Sequence, residues 1–399
     1  DDADNPLRPS ILWNDTRSHA EAAELDADPR FRQTTGNIVF PGFTAPKLAW
    51  VKNNEPDIFS ATAKVLLPKD YLRLWLTGEH VSEMSDAAGT AWLDVEKRRW
   101  SPELLAATQL GEGHMPRLVE GTERSGTLRA EIAGRWGMGS SVTVAGGAGD
   151  NAASACGAGT VRPGTAFVSL GTSGVLFASN GAYLPNPESA VHTFCHALPD
   201  TWHQMGVILS ATDSLNWLAG ITGSKAGDLT GELGETLLAP GNVTFLPYLS
   251  GERTPHNDAV IRGSFTGLAH QTDRSALTRA VIEGVAFAFR DRLEALRQAG
   301  TELGRLTAIG GGSRSVYWLK AIATALQLPI DLPAEGDFGA AFGAARLGLI
   351  AAEEADPLAI CTPPSTAATI DPDTVHATAF DEAYRRYRAL YPAIRGVST

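Results

Sequence analysis

Cysteine is scarce in this chain: Cys156, Cys195 and Cys361 are the three examples in 399 residues, widely spaced and odd in number. That distribution argues against a disulfide framework and against CxxC-type zinc patterns, and with no secretory signal pattern the cytoplasm is the expected compartment. Clusters of basic charge are missing as well. Lys and Arg total 33 against 45 Asp and Glu, for a net charge of -12, so nucleic acid is not an expected partner. No apolar run reaches 18 residues, and the most apolar stretch, GAAFGAARLGLIAA, carries Arg346 in its middle, so no membrane partner is expected either. A Walker A loop, GxxxxGK[ST], occurs nowhere, and there is no short-period repeat or linker-length low-complexity tract.

What is present is a packed chain, 43% apolar and 20% charged, long enough for two domains. The first part, to about residue 140, reads as helices with brief strands. ILW opens it as a short buried strand, followed by helical periodicity in SHAEAAELDA, PKLAWVKNN, KDYLRLWLTG, SPELLAATQ and LRAEIAGRWG. After SVTVAGG the texture becomes β-rich, with TAFVSL and GVLFAS around GTSG, then WHQMGVIL and VTFLPYL. A long amphipathic helix over about 273–299 precedes strand LTAIG, helix VYWLKAIATAL, strand PIDL and the small-residue helix FGAAFGAARLGLIAA. Strands alternating with helices predict an α/β domain with parallel strands. FDEAYRRYRALYPAI reads as a last amphipathic helix.

Three glycine-rich stretches and one carboxylate are the candidates for chemistry. In VAGGAGDNAAS, Asp150 follows a strand and a glycine cluster and opens an Ala-rich helix. Gly147, Gly149 and Ala152 formally satisfy GxGxxA, yet the acid that a dinucleotide site needs about 20 residues later is absent; the first acid after Asn151 is Glu188. Asp150 then remains either a helix cap or a catalytic base. SLGTSG turns two strands through Gly171, Thr172 and Ser173, as a plain hairpin or as hydroxyls and N–H groups wrapped on a phosphate. AIGGGSRS carries Gly310, Gly311, Gly312 and Ser313 from a strand into a helix start, an arrangement that can aim free N–H groups at an anion. EGDFGAAFGAARLG has small residues at helical spacing and reads as close helix packing. Two phosphate-compatible turns and a strand-end carboxylate describe a nucleotide-dependent phosphotransferase without a P-loop.

Other groups have structural readings. His192, Cys195 and His196 lie on a strand whose alternation does not gather them around a metal, and no metal ligands are assigned. Glu252 and Arg253 read as a loop-ordering charge pair, Asp15 and Arg17 as an ion pair or cleft residues, and Asp86 as a turn cap.

Taken together, ILWNDTRS, GFTAPKLAWVKNN, LLPKDYLR, SDAAGT, AGGAGDNAA, VSLGTSGV, PYLSGERTPHN, AVIEGVAFAF and IGGGSRSVYW make the chain resemble the FGGY family of carbohydrate kinases, collinearly and over nearly its whole length. The resemblance implies an α/β fold of two actin-like (ribonuclease H-like, ASKHA) domains around a central cleft. Residues 1–140 would be the remainder of a sugar-side N-terminal domain, 141–375 the nucleotide-side C-terminal domain, and 376–399 a helix packing back on the first domain. It implies ATP and Mg²⁺, with Asp150 as general base, Asn151 at the sugar, and Gly171, Thr172, Ser173 and Gly310 to Ser313 at the nucleotide. LLPKDYLR, SDAAGT and SGERTPHN together favour D-xylulose over glycerol as acceptor, with a homodimer as a candidate assembly. The family's opening phosphate-loop strands, about 80 residues, have no counterpart here. The expected alternatives are therefore another sugar or polyol kinase of the family (acting on ribulose, L-xylulose or glycerol) and a non-catalytic, truncated ligand-binding remnant.

Overall fold

The computed structural model describes residues 1–139, 141–334 and 338–397. Glu335, Gly336 and Asp337, which open the third glycine-rich stretch, lie outside the described residues.

The second half of the chain is organised by one seven-stranded sheet. Its strands lie in the order Thr366–Ile370, Ile330–Pro333, Leu306–Ile309, Ala166–Leu170, Gly174–Asn180, Trp202–Ile208 and His192–Cys195. AFVSL and GVLFASN are rich in β-branched and aromatic residues, and they pair antiparallel with Leu170 opposite Gly174, leaving 171–173 as the turn. The sheet is mixed: it holds the expected parallel strands and the turn of two strands at GTSG. Leu306–Ile309 runs parallel to both Ile330–Pro333 and Ala166–Leu170, and the remaining neighbours are antiparallel. Short connections join the antiparallel pairs at 171–173 and 196–201, and the parallel pair Leu306–Ile309 with Ile330–Pro333 is joined by the helical crossover Val316–Leu326.

The helix Arg274–Gln298 lies against this sheet. Asp273 caps it, accepting from the Ala276 N–H at 2.8 Å, and Val281, Val285, Phe289, Leu293 and Leu296 form its buried stripe. The C-terminal helix Ala377–Ile394 departs from its expected place on the first domain. Phe380, Ala383, Tyr384 and Tyr387 join the core of the second domain, Tyr384 Oη donates to Asp291 at 2.7 Å, and Tyr387 Oη lies 3.1 Å from Tyr248 Oη. An aromatic stripe ending in hydroxyls docks where apolar mates and acceptors coincide, and the long helix supplies both.

The first domain is built differently. Its strands form two-stranded ladders, Val81–Glu83 with Arg117–Val119, Leu93–Asp94 with Arg99–Trp100, and Arg124–Thr127 with Thr143–Ala145. The division expected between 140 and 141 therefore falls inside the last ladder. Helices His19–Ala27, Thr44–Asn54, Pro68–Thr77, Pro102–Ala107 and Ala130–Trp136 occupy the segments whose periodicity predicts them. ILW does not form a strand: no strand pairs with it among the described residues, and Leu12 and Trp13 are 62% and 77% exposed. Three apolar residues without a neighbouring strand have neither a ladder nor a face to bury.

Candidate active site

The helix Asp150–Ala158 stands where the two domains meet. Gly149 is its N-cap residue, and Asp150 occupies the first helical position with an exposed side chain. Asp150 Oδ1 accepts from the Asn151 N–H at 2.7 Å and from Asn151 Nδ2 at 3.0 Å. The cap reading is thereby only half met, because the carboxylate bonds the next residue rather than closing the first turn. Ala155 packs under Phe167 and Phe177 on the sheet, with Ile309 beside them. The helix ends at Ala158, and a seven-residue connection leads into strand Ala166–Leu170.

The two glycine turns meet at the carboxyl end of strand Ala166–Leu170. Strand Leu306–Ile309 is parallel to Ala166–Leu170, which places 310–313 beside 171–173. A Cβ on Gly310 would stand 2.8 Å from the Leu170 carbonyl oxygen, and Gly310 has φ +88°. A Cβ on Gly312 would stand 2.9 Å from both Leu170 Cβ and Thr212 Cγ2. Gly311 has nothing within 4 Å of its Cβ position. The first and third glycines are therefore required by packing, and the middle one opens onto free space. Across from it, the carbonyls of Gly171 and Thr172 accept from the N–H groups of Thr212 and Ala211 at 3.0 and 2.8 Å, leaving the Thr172 and Ser173 side chains exposed. Ser313 Oγ donates to the Gly310 carbonyl at 2.6 Å and closes its turn locally. This is the carboxyl edge of parallel strands, at the point where neighbours switch direction, the usual place for a ligand in such sheets.

The third stretch packs as its small residues predict. In helix Ala340–Glu353, a Cβ on Gly343 would overlap the Ala153 carbonyl oxygen, and one on Gly157 would overlap the Phe338 and Gly339 carbonyls. Helix Asp150–Ala158 is thus held in close contact along its length. Arg346 adds a polar clamp, donating to the carbonyls of Cys156 at 2.8 Å and Gly157 at 3.0 Å.

Beneath the loop 146–149 lies a charged group that the sequence reading did not assemble. Lys69 Nζ stands 3.1 Å from Asp70, 3.4 Å from Glu83 and 3.5 Å from Asp86, and Arg73 pairs with Asp70 at 2.8 Å. Asp86 does not cap its turn. Glu83 is the cap, accepting from the Ser85 and Asp86 N–H groups. Burial among other acids pushes the Asp86 carboxyl up to about 6, with Lys69 opposing. The signal was present as basic residues at positions 69 and 73, one helical turn apart in KDYLR, and as the two acids of SEMSD.

Elsewhere the candidates separate. Glu252 pairs with Arg292 at 2.5 Å, both fully buried, rather than with the guanidinium of Arg253, which lies over Phe40 at 4.8 Å. His192 packs among Phe40, Phe43 and Phe194, and burial lowers it to about 3 and His196 to about 4. Among the described residues no group of three or more His, Cys, Asp or Glu is arranged to hold a metal, and no helix is long and apolar enough to cross a membrane. Asp15 and Arg17 form an exposed pair at 2.7 Å, and the Arg17 hydrogen bonds hold Asp15 down at about 2.

Known proteins share both sequence and shape with this chain. Residues 1–157 match the N-terminal domain of the FGGY family of carbohydrate kinases and residues 166–352 its C-terminal domain. Xylulose kinase of Escherichia coli K12 is 49% identical over 389 residues, 96% of this chain and 80% of that protein. The crystal structure of a xyloylose kinase from Brucella ovis superposes with a TM-score of 0.98 at 72% identity, over 100% of this chain and 82% of that one. Xylulose kinase from Rhodospirillum rubrum superposes with a TM-score of 0.91 at 31% identity, over 100% of this chain and 82% of that chain. With both family domains matched in order, the chain belongs to the FGGY family of carbohydrate kinases and is an ATP-dependent sugar kinase.

Proposed function

We propose that the chain transfers the terminal phosphoryl group of ATP to D-xylulose, giving D-xylulose 5-phosphate, with Asp150 as general base. The observation that carries this reading is the exposed Asp150 carboxylate at the start of a helix whose Ala155 packs on Phe167 and Ile309, residues of the two strands that lead into the glycine turns. ATP fits those turns. Gly311 leaves room for a phosphate to approach the backbone, and the Thr172 and Ser173 hydroxyls are free on the facing turn. Mg²⁺ in such kinases is held largely by phosphate oxygens and water, and bound at the phosphates it would neutralise their charge.

The protein's own part is positional. Phosphoryl transfer passes through a loose transition state, so little covalent chemistry falls to the enzyme. Asp150 takes the proton from the attacking hydroxyl, Asn151 stands beside it to orient the sugar, and turn N–H groups face the transferred oxygens. The xylulose kinases among the relatives support the choice of sugar.

The test is ADP release with Mg-ATP and D-xylulose, D-ribulose, L-xylulose or glycerol. D-xylulose is expected to give the highest kcat/KM, and preference for another acceptor overturns the substrate. Asp150→Ala should lower kcat by about 10²–10⁴-fold with ATP affinity changed only a few-fold. Unchanged turnover removes Asp150 from the base role.

A further inference from the structure

Two of the stretches that carry the family resemblance, LLPKDYLR and SDAAGT, supply no group to the reacting centre described above. Both end at the loop 146–149, from which Asp150 emerges. Arg73 donates to the Val81 carbonyl at 2.7 Å, to Asp70 at 2.8 Å and to the Gly146 carbonyl, gripping the loop at its first residue. Ser85 Oγ donates to Glu83 Oε2 at 2.8 Å and accepts from the Gly149 N–H at 3.0 Å, gripping it at its last. Main-chain bonds add to this, with the Gly146 N–H on Glu123 O at 2.7 Å and the Gly147 N–H on Gly121 O at 3.0 Å, and Ala148 packs against the cluster of Ala197, Leu198 and Leu347. Arg73, Glu83 and Ser85 are each more than nine-tenths buried.

The direction of each bond is settled by chemistry. A serine hydroxyl has one hydrogen. Since the Glu83 carboxylate can only accept when ionised, that hydrogen goes to Glu83 and a lone pair is left for Gly149. Glu83 is itself fixed by the Ser85 N–H at 2.7 Å and the Asp86 N–H at 2.9 Å, with Lys69 near its other oxygen. Gly149 immediately precedes Asp150, so a shift of its N–H moves the carboxylate with it.

We propose that Ser85, aimed by Glu83, and Arg73 are positioning residues for Asp150: they fix the loop from which the carboxylate is presented and do not touch the sugar or ATP. This rests on Asp150 being the base. A reacting group displaced by about 1 Å loses on the order of 10²-fold in rate, so the grip should appear in kcat.

The experiment is a double-mutant cycle on the full chain with Ser85→Ala, Asp150→Asn and their combination, reading kcat, both KM values and melting temperature. Ser85→Ala is expected to lower kcat about 10- to 100-fold with the KM for ATP within about two-fold, and to have no further effect on residual turnover in the Asp150→Asn background. An equal loss in both backgrounds overturns the proposal, because Ser85 would then act on the fold at large. A parent-like kcat for Ser85→Ala overturns it too. If Ser85→Ala does not fold, Arg73→Lys enters the same cycle with the same expectations. Parent-like turnover of Asp150→Asn alone refutes the base assignment instead, whatever Ser85 does.

Discussion

The two glycine turns and the loop that carries Asp150 are held by different means. The turns at 171–173 and 310–313 are seated on an apolar core that includes Val168, Leu170 and Ala308 and leave main chain open at Gly311. Asp150 leaves a loop braced by Lys69, Asp70, Arg73, Glu83 and Ser85, most of them buried. Main-chain presentation tolerates changes of charge but not of volume. A buried charged brace tolerates little loss of either partner, because what remains is an uncompensated ion. The helix Asp150–Ala158 follows the braced loop and packs through Ala155 on the strands that lead into the turns, and substitutions along its contacts should separate the two regimes.

The largest effect is expected at the seam. Gly343→Ala would drive a methyl group into the Ala153 carbonyl, and backbone has no rotamer with which to yield. A loss of about 3 kcal/mol or more is expected in denaturant unfolding. Gly348 sits in the same helix with nothing within 4 Å of its Cβ position. Gly348→Ala should gain about 0.5–1 kcal/mol from helix propensity. Similar values for the two substitutions would mean that the helices do not touch as closely as the structure has them.

The charged brace should answer to charge and to pH. Lys69→Met keeps most of the volume and leaves Asp70, Glu83 and Asp86 with Arg73 as the nearby cation. Lys69 is about three-tenths exposed, so the cost should fall below that of breaking a fully buried pair, at about 2 kcal/mol near pH 8. Asp86 stands at about 6 against 3.8 for the free group, so the fold favours its protonated form. The stability it contributes is complete below about pH 4 and is lost as pH rises through 6. Removing Lys69, the cation that holds this value down, should deepen the loss above pH 6 and leave variant and parent closest near pH 5. Melting curves from pH 5 to 8 check this, and a pH-independent difference would argue that packing, not charge, dominates at Lys69.

The same contrast explains what could be read from the sequence. Elements of the second domain were legible because each is a local pattern: the apolar stripe of 274–298, the β-branched runs around GTSG, and the strand, glycines and helix start of AIGGGSRS. The helix start at Asp150 was legible from the strand and glycine cluster before it. The brace was not, because Arg73 reaches Gly146 and Ser85 reaches Gly149 across 73 and 64 residues, and no spacing rule joins them. Glu252 was given to its neighbour for the same reason, its partner Arg292 being 40 positions away on the long helix. ILW failed as a strand because a strand is a relation between segments, and three residues carry no information about a partner.

A smaller effect sharpens the main-chain side of the comparison, since its three glycines are not equivalent. Gly310 combines φ +88° with a Cβ position 2.8 Å from the Leu170 carbonyl, so Gly310→Ala should cost stability through strain before any question of binding arises. Gly311 has an ordinary backbone and open space, so Gly311→Val should melt within a few degrees of the parent. If a phosphate approaches the N–H groups here, as proposed, the added side chain blocks it, and ATP affinity should fall about tenfold, or about 1.4 kcal/mol. Calorimetric titration with ATP and a melting curve on the same sample separate the two outcomes. If Gly311→Val binds ATP as the parent does, the turn is a structural bend and the nucleotide phosphates lie against Thr172 and Ser173 alone. If it binds weakly and melts normally, glycine at 311 is required by the ligand, while glycine at 310 is required by the fold.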